Sequence, residues 1–127
     1  MTNKLELYRC EICGNIVQVL VEGAGALVCC GKEMILQEIQ HDNNEIGEKH
    51  NPIFEEIDGK KIVSVKKHPM INEHYIQFIQ TQTKDKNEIY TKYFYPNQSA
   101  EVEITQSPEN INALEYCNIH HLWGTQF

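Results

Sequence analysis

Alternation of apolar and polar residues dominates this chain, and it predicts strands. Leu5 and Leu7 alternate in LELY, and Val17, Val19 and Val21 alternate in NIVQVLVEG, so two short strands are expected there. EGAGA follows as a turn, with Gly23 and Gly25 available for positive φ. LVCCGKEMILQEI then reads as a third strand. This first unit, residues 4–39, is about 36 residues long. Such a length cannot bury a self-sufficient core and calls for a metal or disulfide staple.

Residues 40–52, QHDNNEIGEKHNP, are polar and read as a linker or a functional loop. Beyond them the pattern is β throughout. KIVSV (61–65), HYIQFIQT (74–81), EIYTKYFY (88–95) and EVEIT (101–105) are rich in Val, Ile, Thr and Tyr and are separated by turn residues. SPENINALEYC predicts a helical turn with Ser107 as N-cap and Pro108 at N1, and HLWGTQF a last strand. The expected fold is mainly β: a small metal-stapled domain over residues 1–37, then an antiparallel β-sandwich over residues 38–127.

Charge and composition narrow the class of function. Of 127 residues 41% are apolar and 23% charged, as in globular domains. A net charge of −7 with a single arginine, Arg9, argues against nucleic acid as a partner. No apolar run reaches the ~18–20 residues of a membrane span, and MTNKLELYRC shows no signal-peptide core. The expectation is a cytoplasmic protein with reduced cysteines, for which metal binding or catalysis is the better explanation.

Four of the five cysteines form one constellation. Cys10 and Cys13 make a C-x-x-C knuckle in YRCEICGN, and Cys29 and Cys30 are adjacent in LVCCGKEM. Gly14 and Gly31 follow the two pairs and allow the bends that turn backbone N–H groups toward sulfur. Four thiolates suit a tetrahedral zinc or iron. The alternative, a pair of disulfides, meets a strained ring at the adjacent cysteines and a reducing compartment.

The fifth cysteine, Cys117, lies in EYCNIHH, and His50, His68, His74, His120 and His121 are spread over the second unit. Imidazoles plus one thiolate suit iron, copper or zinc when loops on a β scaffold bring them together. A Cys–His nucleophile pair competes, but no helix start or oxyanion hole is signalled. His41 reads as a solvated linker residue.

These motifs together resemble the desulfoferrodoxin family, the two-iron form of superoxide reductase. YRCEICGNIVQVL and LVCCGKEM are similar to its desulforedoxin-type domain; GEKHNP, HPMINEHYI and EYCNIHHLW are similar to the stretches that build its catalytic iron centre. The resemblance implies one iron on Cys10, Cys13, Cys29 and Cys30, with zinc possible in that site. It implies a second iron with His50, His68, His74 and His120 in a plane and Cys117 as axial thiolate. Glu48 would occupy the sixth position of the oxidised iron, and Lys49 would stand beside the open face. Also implied are an immunoglobulin-like sandwich, a homodimer, superoxide as substrate and a rubredoxin as electron donor. Most of Lys60, Lys61, Lys66 and Lys67 read as solvated edge residues. The family usually has glycine where this chain has His121; if that position needs positive φ, His121 carries some strain, although histidine tolerates it better than most residues. Two adjacent imidazoles then compete as ligand, and spacing from Cys117 favours His120. The competing function is a non-catalytic electron carrier or a zinc-stapled binding module.

Overall fold

The computed structural model describes every residue, Met1–Phe127, and the chain forms two units, Met1–Glu38 and Ile39–Phe127. In the first, β1 (Leu7–Arg9), β2 (Ile16–Gln18) and β5 (Ile35–Leu36) form an antiparallel sheet in the order β2-β1-β5, while β3 (Val28–Cys29) and β4 (Lys32–Glu33) pair separately. The single strand expected over LVCCGKEMILQEI is therefore three. Cys30 (φ 55°) and Gly31 (φ 73°) make a two-residue turn that pairs Cys29 with Lys32. Two positive φ values in succession match the right-handed twist of a tight hairpin. Gly23 and Gly25 do not take positive φ. The turn there is tied instead by Thr2, whose N–H donates to the Gly23 carbonyl at 3.0 Å and whose hydroxyl accepts from the Gly23 N–H at 3.0 Å. The buried apolar set of this unit is only Leu5, Leu7, Cys10 and Val19, which is the physical reason it needs a staple.

The second unit is an immunoglobulin-like antiparallel sandwich. One sheet has the order β10-β7-β6, from β10 (Glu101–Ile104), β7 (Lys60–Ser64) and β6 (Ile53–Ile57). The other has the order β12-β11-β8-β9, from β12 (His121–Gln126), β11 (Ile111–Cys117), β8 (Ile76–Thr83) and β9 (Ile89–Tyr93). Val63 and Val102 from the first sheet meet Ile76, Ile79, Ile111 and Ala113 from the second in one core, and Cys117 belongs to it.

In the second unit three segments differ from the sequence reading. Residues read as a linker contain α1 (Glu45–His50). Asn44 caps it, accepting from the Gly47 N–H at 2.9 Å. Gly47 is required because a Cβ there would lie 1.8 Å from the Asp42 carbonyl oxygen. β6 has no counterpart in the sequence reading; it is joined to β7 by Asp58 (φ 51°) and Gly59 (φ 77°), an Asp-Gly hairpin turn. Finally, Pro108–Asn110 is a 3₁₀ turn and Ser107 makes no side-chain cap; the rest of that segment is β11, a central strand flanked by β8 and β12.

Candidate metal centres

Backbone geometry assembles the four-cysteine group. Cys10 follows β1, and its carbonyl accepts the Gly14 N–H at 2.9 Å, closing the knuckle with Gly14 at φ 82°. Cys29 ends β3 and Cys30 opens the two-residue turn. All four sulfurs lie within 4.8 Å of one another. Cys13 and Cys29 are 3.5 Å apart, and Cys29 and Cys30 4.0 Å. A tetrahedron with ~2.3 Å metal–sulfur bonds has edges of about 3.8 Å, so the four sulfurs fit one ion. The Cys13 N–H donates to Cys10 Sγ at 3.5 Å, and Asn15 Nδ2 to Cys29 Sγ at 3.8 Å. The Cys13 N–H is the chief reason the Cys10 thiol falls to about 6. Sharing hydrogen bonds with Cys13, Cys29 and Cys10 drives Cys30 up to about 12. The four sulfurs share hydrogen bonds, and a bound cation would draw off the protons they retain. No disulfide is present.

The second centre is drawn from four segments. His50 ends α1, His68 and His74 lie in the connection between β7 and β8, Cys117 ends β11, and His120 lies in the turn to β12. Ring centroids of His50–His68, His68–His74, His74–His120 and His50–His120 are 4.7, 4.5, 5.1 and 4.8 Å apart. The His50–His74 separation is 6.4 Å, longer than any side, as across the corners of a square. Ligand atoms of His50, His74, Cys117 and His120 all lie within 4.8 Å of one another. His68 falls outside that tightest set, although its ring completes the square.

The environment prepares these groups for a cation. Cys117, His50 and His68 are 0%, 3% and 4% exposed. Both ring nitrogens of His50 and the Nε2 atoms of His68 and His74 are buried without any hydrogen-bond partner. Unpaired buried acceptors are costly unless something binds them, and a metal ion is what four converging imidazoles suit. The Nδ1–H of His68 donates to the Pro69 carbonyl at 2.6 Å, which leaves Nε2 as the lone-pair atom. Burial and the neighbouring imidazoles push His50 down to about 4; burial does the same for His68. These rings therefore stay neutral and ligand-competent well below neutral pH. Burial raises the Cys117 thiol, against the N–H groups of His120 and Ile119 that donate to its sulfur at 3.3 and 3.4 Å.

His121 is the cross-strand partner of Cys117, yet it is not in the cluster. It takes φ 70°, the left-handed region that glycine occupies most freely, and its ring stacks on Tyr116 at 6.0 Å. Spacing from Cys117 and geometry thus agree on His120 as the ligand candidate. His41 is not merely solvated: its Nδ1–H donates to the Gly124 carbonyl at 2.7 Å.

Glu48 lies outside the cluster and is ion-paired with Lys67, the residue before His68. Lys66 pairs with Glu55 at 2.7 Å, so neither lysine is a plain solvated edge residue. Lys49 is exposed and makes no ion pair.

Sequence reasoning passed over the residues that brace the ligands. Asn118 grips both neighbours of His74: Oδ1 accepts the Tyr75 N–H at 2.9 Å, and Nδ2 donates to the Glu73 carbonyl at 3.1 Å. Trp123 Nε1 and Gln40 Nε2 donate to the His120 carbonyl at 3.0 and 2.9 Å, and the Trp123 ring lies 4.7 Å from His50. The one available signal was Asn118 itself, a turn-forming residue directly after Cys117.

Comparison with known proteins agrees with this arrangement. Residues 2–37 match the family described as "Desulfoferrodoxin, N-terminal domain", and residues 42–126 the family described as "Desulfoferrodoxin". A desulfoferrodoxin from Desulfarculus baarsii is 42% identical over 128 residues, covering 99% of each chain. The superoxide reductase from Treponema pallidum shares the fold, with TM-score 0.70, 21% identity and coverage of 99% of this chain and 100% of that one. A superoxide reductase from Nanoarchaeum equitans aligns with TM-score 0.50 at 27% identity, over 69% of this chain and 96% of its own. Matched in both units and over nearly its whole length, this chain belongs to the desulfoferrodoxin family.

Proposed function

We propose that this chain is a superoxide reductase, with a Cys10, Cys13, Cys29 and Cys30 iron centre in residues 1–37 and a catalytic centre of His50, His68, His74, His120 and Cys117 in residues 38–127. The observation that carries this reading is the square of four imidazoles closed by one buried thiol, with the buried nitrogens of His50, His68 and His74 left unpartnered. Iron held by these residues would supply the one electron that, with two protons, turns superoxide into hydrogen peroxide without release of dioxygen.

The chain's own groups do the rest. Burial holds His50 and His68 neutral, so no proton competes for their inward nitrogens at neutral pH. The Cys117 thiol gives up its proton on metal binding, and the N–H groups of Ile119 and His120 then steady the sulfur. As a ligand, the Cys117 thiolate would be a lever on the metal's electron density. Superoxide is an anion and the protein carries a net −7, so a local positive field is needed at the mouth. Lys49, exposed and unpaired beside His50, provides it. Glu48 would be the carboxylate that can leave its lysine and ligate the oxidised centre.

Reduction of the catalytic centre fits a small one-electron carrier of rubredoxin type, and free cysteines fit the cytoplasm. Exposed Leu20, Val21 and Val28 in the first unit fit a second copy of the chain as partner, giving a homodimer. No helix is long and apolar enough to cross a membrane. The test is single-turnover reaction of the reduced, iron-loaded protein with a pulse of superoxide. One peroxide per chain with no dioxygen supports the reading, and dioxygen evolution or inertness defeats it.

A further inference from the structure

We propose that Lys67 is a positioning residue that holds the Glu48 carboxylate away from the catalytic centre and so keeps the sixth position accessible to small anions. This rests on the reading of Glu48 as the closing ligand. The two partners adjoin two ligand candidates: Glu48 lies two residues before His50 on α1, and Lys67 immediately precedes His68. Residues two apart on a helix point to different sides. His50 points inward and is buried, whereas Glu48 faces a cavity of about 500 Å³ that it lines with Asp42, Asn44, Asn51, Val65 and Lys67. Held by Lys67, its carboxylate lies outside the cluster of ligand atoms.

The choice of lysine is also settled by pairing. Lys66 lines the same cavity but is engaged by Glu55 at 2.7 Å. Lys49 adjoins Glu48 in the chain yet makes no ion pair. Lys67 is therefore the cation bonded to Glu48. Both side chains of the pair are more than half exposed, 56% for Lys67 and 61% for Glu48. Such a bond is weak and reversible, so it tunes the closing of the site and does not lock it. A cation that competes with the metal for one carboxylate biases the open state by the strength of that bond alone.

Azide is a suitable probe, because it is a small anion whose binding to the oxidised, iron-loaded protein is read from the visible spectrum. At low ionic strength Lys67→Met frees Glu48 and weakens azide binding roughly two- to fivefold, the range an exposed ion pair supports. The effect vanishes in the Glu48→Gln background and at about 1 M salt, where screening reaches ~3 Å. No change on Lys67→Met overturns the proposal. Equal weakening with and without the Glu48→Gln substitution overturns it as well, since Lys67 then acts only as a distant charge. If Glu48→Gln alone alters neither the oxidised spectrum nor azide affinity, the reading of Glu48 as closing ligand fails first. A spectral change with Glu48→Gln but none with Lys67→Met isolates the failure to the lysine.

Discussion

Asn118→Ala should loosen one corner of the imidazole square without touching a ligand. The substitution removes two bonds, Oδ1 to the Tyr75 N–H at 2.9 Å and Nδ2 to the Glu73 carbonyl at 3.1 Å, on either side of His74. The backbone bond from the Asn118 N–H to the Tyr75 carbonyl, 3.2 Å, remains. Each lost bond contributes about 1 kcal/mol net, so about 2 kcal/mol of ordering is withdrawn from the segment that carries His74. Metal binding must then supply that ordering, which lowers affinity at this centre by up to about 30-fold. Loss of a residue that braces a ligand commonly costs about 10- to 100-fold, so the two figures agree. The assay is competition between protein and a chromophoric chelator for cobalt(II), with the four-cysteine centre as internal control. Asn118→Asp keeps the acceptor and loses the donor, and should show roughly half the free-energy loss. A folded Asn118→Ala protein whose affinity at the histidine centre stays within about twofold of the parent would refute the reasoning.

Glu115 is fully buried on β11 with no hydrogen bond to either carboxylate oxygen, and burial raises its pKa well above the ordinary 4.5. A raised carboxyl pKa favours the fold below the unfolded value, and that stability is lost as pH rises toward the folded value. Glu115→Met should thus gain about 1–3 kcal/mol over the parent near pH ~8 and little near pH ~4, read from urea midpoints; equal gains at both would contradict it. His121→Val should cost about 1–2 kcal/mol, because a β-branched residue resists the φ of 70° that histidine accepts; an unchanged melting midpoint would remove the strain argument. Lys49→Ala should slow the second-order reaction with superoxide by up to about tenfold and flatten its salt dependence; an unchanged rate at low ionic strength would discard Lys49 as the steering charge.

Much of the fold was legible because period-two alternation is a local signal. β8, β9 and β10 lie where Ile, Tyr, Thr and Val alternate with polar residues. β11 was hidden because both its faces are buried, so Ile111, Ala113, Leu114 and Tyr116 show no alternation. α1 is only six residues long and owes its place to the Asn44 cap and to the Asp42 backbone pressed against Gly47; neither contact has a periodic trace. The ligand residues were recognisable by type and motif. Their braces were not, since Asn118 acts on residues more than forty positions away and Lys67 on one nineteen away. Such partnerships exist only once the strands are paired. His121 lies between these cases: the resemblance to a family with glycine there raised the question of its φ, while its stacking on Tyr116 follows from the β11–β12 register.

The central claim is that the four imidazoles and Cys117 hold a redox-active iron that reduces superoxide. Its most direct test is the stoichiometric reaction of the reduced, two-iron protein with pulsed superoxide, measuring peroxide, dioxygen and the visible thiolate-to-iron band together. The account predicts one peroxide for each catalytic iron oxidised, no dioxygen, and loss of both peroxide and band in Cys117→Ser. Peroxide accompanied by dioxygen, or a Cys117→Ser protein that keeps the band and the reaction, would contradict it.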